Sequence, residues 1–243
     1  MNMKTSITKL YWNKIGDNYQ GSWKGLAKQA MSDRELEIIS NYLKLTAPEN
    51  ILDIGVGNGR ILNILINDSS KNSKIFGIDI SEEMIEYCQK IFKKNKKISK
   101  LSICNISKEP LIFKNKFDFV TAVRILKYNK NWRIIIKRVS KILNKNGVFV
   151  FTMPNYNSIN RFVKHTIPVF RTTVSEIKKI LIQNDLKLIK IRSITKIPDF
   201  FYNNQLKDNK FYVKFLISIE KLLELLLGKV FLGRMLFIIC QKK

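Results

Sequence analysis

Asn50 to Arg60 reads NILDIGVGNGR, a short apolar run that ends in an acid and three closely spaced glycines. Ile51, Leu52 and Ile54 predict a fully buried strand. Gly55, Gly57 and Gly59, with Asn58 between the last two, predict a tight turn whose missing side chains let a ligand touch the backbone. Arg60 to Ile66 (RILNILI) holds no breaker, so a helix follows at once and turns its free N–H groups toward whatever sits on the glycines. Strand, turn and helix together make a cofactor cradle.

Spacing separates the possible cofactors. A dinucleotide fingerprint needs its third glycine at position 60, which is Arg60. A phosphate-binding P-loop needs a Gly-Lys-Ser/Thr ending, which the turn lacks. The remaining pattern, Asp-x-Gly-x-Gly-x-Gly with Asp53 two residues before Gly55, resembles the class I S-adenosylmethionine-dependent methyltransferases, in their small-molecule branch. The resemblance covers about residues 10 to 195 plus a final strand. It implies a Rossmann-like α/β fold: a doubly wound sheet of seven strands, mostly parallel with an antiparallel last strand, and helices on both faces.

The composition sets bounds. With 243 residues and 45% apolar content the chain can bury a substantial core. Cys88, Cys104, Cys240 and His165 lie far apart, so neither a disulfide framework nor a metal site is suggested, and a reducing, cytoplasmic setting fits best. No signal peptide is evident, and no run reaches the roughly 18 apolar residues of a spanning helix. A net charge of +25 would suit a nucleic-acid partner, but the lysines are spread over most helices and read better as a solvated basic surface.

Along the chain, residues 1 to 48 predict two peripheral helices, the first through Tyr11, Trp12, Ile15 and Tyr19, the second through Leu36, Ile38, Ile39, Tyr42, Leu43 and Leu45. Lys74 to Ile80 predicts a second strand ending at Asp79, twenty positions after Gly59. Ser81 caps a helix with Glu82 and Glu83 in its first turn and Met84, Ile85, Cys88, Ile91 and Phe92 inward. Strands follow at Leu101 to Ile106, Lys116 to Val123 and Val148 to Met153, with an amphipathic helix from Asn131 to Leu143 closed by Asn146-Gly147. Thr173 to Glu176 is a capping box before a helix over Ile177 to Gln183, and Leu186 to Ile194 alternates like a half-exposed strand. A long helix over 209–227 with a wide apolar face precedes a last strand at Met235 to Cys240.

The resemblance implies roles for particular residues. Gly55, Gly57, Asn58 and Gly59 approach the methionine end of S-adenosylmethionine, and Asp53 orders that end. Asp79 holds the ribose, Ile80, Met84 and Ile106 flank the adenine, Asn105 stands where the family usually has an acid, and Tyr19 closes over the cofactor. Asn105 could equally cap its loop, and Tyr128 and His165 are the candidates near the reacting centre, with packing or surface roles as the plainer readings. The division expected is an N-terminal helical cap (1–48), a cofactor-binding core (49–195), an insertion that is either an acceptor lid or an interfacial helix (196–233), and the last core strand (234–243). The expected function is methyl transfer to a small or lipid-like acceptor, with peripheral membrane contact through the 209–227 helix as one option. An RNA methyltransferase, a non-catalytic binding module and aminopropyl transfer stay open beside it.

Overall fold

The computed structural model describes residues 25–111, 113, 115–163, 166–227 and 232–243. The helix expected around Tyr11 to Tyr19, and His165, lie outside the described residues. Helix α1 (Leu26–Thr46) ends where Ala47 turns left-handed at φ 41°, just before Pro48. Then come β1 (Asn50–Ile54), α2 (Arg60–Asp68), β2 (Lys74–Asp79), α3 (Glu82–Ile91), β3 (Ile98–Ile103) and β4 (Phe117–Ala122). After a 3-10 turn (Leu126–Tyr128) follow α4 (Trp132–Ile142), β5 (Leu143–Pro154), α5 (Val174–Gln183) and β6 (Leu186–Ile194). A short α6 (Asp199–Tyr202), the long α7 (Lys210–Leu226) and β7 (Met235–Lys242) complete the chain.

The sheet runs β3-β2-β1-β4-β5-β7-β6. β7 lies antiparallel to both β5 and β6, while the other pairings are parallel. Alternate residues of each strand feed opposite cores: Leu52 and Ile54 join α4 and α5 on one face, and Ile51 joins α1, α2 and α3 on the other. The strand order reverses between β1 and β4, so a crevice opens outside their carboxyl ends, where doubly wound sheets bind ligands.

Two strands differ from expectation. β3 begins at Ile98, three residues earlier than the apolar pattern indicates, because an edge strand tolerates exposed residues such as Lys100. It stops at Ile103, which puts Asn105 and Ile106 beyond the strand. β5 begins at Leu143 and not Val148: Asn146, at φ 63°, sits in a bulge where the register against β4 shifts between Phe117 and Phe119. Gly147 makes that bulge possible, since a Cβ there would lie 2.9 Å from the Phe117 carbonyl oxygen. Leu45 and Ile91, both expected on buried faces, are exposed.

Candidate functional site

β1 delivers the glycines to the crevice. The Gly55 and Val56 N–H groups both donate to the Ile78 carbonyl, at 2.7 and 3.2 Å, and so pin the turn to β2. Gly55 has φ 81°, and a Cβ there would come within 2.1 Å of Ile125 Cγ2, so the loop after β4 packs directly on the turn. Gly59 has φ 80° and faces the Phe92 ring, which a Cβ would meet at 2.7 Å. Its bareness therefore serves packing of α2 on α3.

Two acids stand below and beside the turn. Asp79 ends β2 and accepts from the Gly57 N–H (2.9 Å, Oδ2) and the Ser81 N–H (3.0 Å, Oδ1). Burial raises its pKa against the pull of those donors. Asp53 is 1% exposed; its Oδ1 accepts from the Thr121 hydroxyl at 2.7 Å, and its buried Oδ2 has no hydrogen-bond partner. Burial, with Asp79 adding to it against Thr121 and Arg60, pushes the Asp53 carboxyl up to about 7. Burial likewise pushes the Cys88 thiol up to about 12, so it stays neutral and donates to the Gly57 carbonyl at 3.2 Å.

A cavity of about 410 Å³ opens over this turn. One part of its wall carries Gly55, Gly57, Asp79, Ile80, Met84, Asn105 and Ile106, and another carries Arg124, Lys127, Tyr128, Asp199, Tyr202 and Arg234. Eight of the expected site residues thus converge on one space, counting Tyr128 with the seven of the first part. Asp53, Asn58 and Gly59 do not line it, and Tyr19 and His165 lie outside the described residues. Asn105 does cap its loop: its Oδ1 accepts from the Ser107 N–H and hydroxyl at 3.2 and 2.7 Å. Tyr128 carries the Lys127 ammonium over its ring at 4.7 Å.

Sequence reasoning missed three residues that organise this cavity. Glu35 of α1 is fully buried and receives Arg60 Nη2 at 2.8 Å and Arg124 Nη2 at 2.5 Å. Burial would raise its pKa, but Arg124 and Arg60 together hold it below the ordinary carboxylate value. Arg60 opens α2 directly after Gly59, and Arg124 follows β4 with a left-handed φ of 64°, its N–H bonded to the Thr152 hydroxyl at 2.7 Å. Glu35 thus ties the cap helix to the start of α2, just after the glycine turn, and to the cavity-lining Arg124. The left-handed backbone of a bulky residue at a cavity edge marks strain of the kind found at functional sites.

The methyltransferase-domain family matches residues 45–211, more than half of the 243-residue chain. An uncharacterised protein of Methanocaldococcus jannaschii is 31% identical over 160 residues, 65% of this chain and 56% of its own length. The ubiquinone biosynthesis O-methyltransferase of Pelagibacter ubique is 34% identical over 104 residues, 42% of this chain and 41% of its own. The chain thus spans about half the length of these relatives. Among solved structures, magnesium protoporphyrin IX methyltransferase from Synechocystis PCC 6803 with bound SAH superimposes with a TM-score of 0.68, covering 98% of this chain and 100% of that one. At 12% identity that likeness is one of fold. Because the family match takes in the glycine turn, both acids and the loop after β4, the chain belongs to the class I S-adenosylmethionine-dependent methyltransferase family.

Proposed function

We propose that this chain transfers a methyl group from S-adenosylmethionine to a small or lipid-like acceptor bound in the same cavity. The observation that carries the reading is the cavity's division into a glycine-and-acid wall and a wall of Tyr128 and cationic side chains. The residues fit the cofactor: the unpartnered Asp53 oxygen, buried beneath the turn and off the cavity lining, favours a cationic ligand end through its charge, and Asp79 keeps acceptor capacity for ribose hydroxyls. Ile80, Met84 and Ile106 supply apolar contacts for the adenine, and Asn105, its oxygen engaged by Ser107, offers its NH2 group. Gly59 shapes the turn from behind through its packing on Phe92.

When bound, S-adenosylmethionine supplies a methyl group on a good sulfonium leaving group. The chain's work is then to hold the acceptor in line at near-attack distance and to keep water out. To Tyr128, which lines the cavity, we assign the orientation of an acceptor hydroxyl or the uptake of its proton. We assign residues 25–48 to a cap on a core of 49–195, residues 196–233 to a lid, and 234–243 to the last core strand. Asp199, Tyr202 and Asn203 support the lid assignment because they line the cavity, which α7 does not. Release of S-adenosylhomocysteine with phenolic, amine or carboxylate acceptors would support this function. Tight cofactor binding with turnover on RNA, or with no turnover on any acceptor, would overturn it.

Asp53 makes cofactor affinity depend on pH. A cationic ligand selects its ionised form, so binding should strengthen as pH rises toward about 7 and level off above it. The slope below that point reaches at most about tenfold per pH unit. Asp79, Arg60 and Cys88 also face this carboxyl, and Asp53→Asn isolates its share. Titration calorimetry at several pH values reads the effect; an identical slope in Asp53→Asn would assign it elsewhere.

A second reading, membrane-surface contact, has an observation of its own. Among the described residues no helix is long and apolar enough to cross a membrane. Yet α7 buries Val213, Leu216 and Glu220 and turns Phe211, Phe215, Leu222 and Leu226 outward, Phe211 at 85% exposure. Exposed Lys214 and Lys221 run along one edge of this stripe, a pattern suited to an anionic lipid surface. The full chain should float with vesicles containing phosphatidylglycerol, and the Phe211→Ser/Phe215→Ser double variant should stay behind. Failure of the full chain to float would remove the reading.

A further inference from the structure

Beyond Tyr128, the cavity wall is rich in cations. Lys28, Arg124, Lys127 and Arg234 line the cavity, and a smaller adjoining pocket shares the last three with Arg161 and Arg171. Two of these charges are answered by carboxylates. Glu35 holds Arg124, and Arg234 is ion-paired with Asp199, the carboxylate on this side of the cavity. Lys127 is set apart by its burial. The residue is 8% exposed, it lines both cavities, its ammonium lies 4.7 Å over the Tyr128 ring, and among the described residues no carboxylate lies within ion-pair distance of it.

An ammonium on a largely buried side chain that opens on a cavity with no counter-ion favours a ligand that answers its charge. Lys127 is not remote from the chemistry: it lines the same cavity as Gly55 and Gly57, and Ile125, two residues earlier in its loop, packs on Gly55. We infer that the methyl acceptor carries an oxyanion, a carboxylate or a phosphate, which seats on Lys127 with Arg234 beside it. Calling this ligand the acceptor rests on the methyl-transfer reading, whereas the anion site itself does not. Burial, reinforced by Arg124 and Arg234 against Glu35, brings the Lys127 ammonium down to about 7, so an arriving anion would draw a proton onto it. The excess of cations over the whole surface would speed the arrival of such a ligand.

The test is titration calorimetry of the full chain, alone and loaded with S-adenosylhomocysteine, with benzoate, phenyl phosphate and uncharged benzyl alcohol. One of the two anions should saturate the site at millimolar concentration or below and bind roughly tenfold or more weakly at pH 8.5 than at pH 6. Preference between them tells carboxylate from phosphate. Lys127→Met should lose at least about tenfold in anion affinity while binding S-adenosylhomocysteine as before, and Lys127→Gln provides the same comparison should the methionine variant not fold. Equal binding of benzyl alcohol, saturation by neither anion, or unchanged affinity in a folded Lys127 variant would overturn the inference; so would anion binding that strengthens at high pH, which would mark Lys127 as a neutral base. Loss of S-adenosylhomocysteine binding in the wild-type chain would instead count against methyl transfer, leaving the anion titration of the unloaded protein to judge Lys127 alone.

Discussion

Asp79→Ala is expected to weaken S-adenosylmethionine binding by about 1–3 kcal/mol, roughly five- to 150-fold, the range for losing a buried hydrogen bond to a charged group. The carboxylate sits at the end of β2, held by the Gly57 and Ser81 N–H groups, so its orientation is fixed before any ligand arrives. A group fixed in this way contributes its full hydrogen-bonding capacity without an ordering cost on binding. The substitution also leaves the Gly57 N–H without its acceptor, so a thermal melt must accompany the titration. Asp79→Asn, which keeps one acceptor oxygen, should fall between wild type and alanine. A folded Asp79→Ala variant with unchanged affinity would take Asp79 out of the cofactor site.

Glu35→Gln should cost about 3 kcal/mol of stability, since it leaves two guanidinium groups facing a neutral amide in a buried place. In a domain of this size that corresponds to a melting temperature lower by roughly 10 °C. The loss should reach the cofactor site as well, because Arg60 starts the helix after the glycine turn and Arg124 starts the loop over it. The pH sense follows from the depressed Glu35 pKa: its contribution is present above the unfolded carboxyl range and fades as pH falls through the lower folded value. Thermal melts between neutral and acidic pH should therefore show the variant approaching wild type at the acid end. Equal melting temperatures at neutral pH would mean that Glu35 does not hold the cap to the core.

The residues explain why some of this was legible in sequence and some was not. β6 was readable to its ends, Leu186 and Ile194, because alternation and flanking turn residues act locally. β1, the glycine turn and Asp79 were readable for the same reason. β3 was misplaced since an edge position excuses exposed residues, and edge or centre is set by the whole sheet. Glu35 looked like any charged helix residue; its importance lies in arginines 25 and 89 positions away. Lys127 was hidden among 44 basic residues, and only the fold shows it buried and unanswered. For α7 the apolar residues were visible, but which of them face outward depended on the packing of Leu216 and Glu220.

Titration calorimetry of S-adenosylmethionine into the 243-residue chain tests the central claim most directly. Saturable binding of one cofactor per chain, displaced by S-adenosylhomocysteine and weakened by Asp79→Ala, is the predicted result. A folded chain that takes up neither compound at millimolar concentration would contradict it.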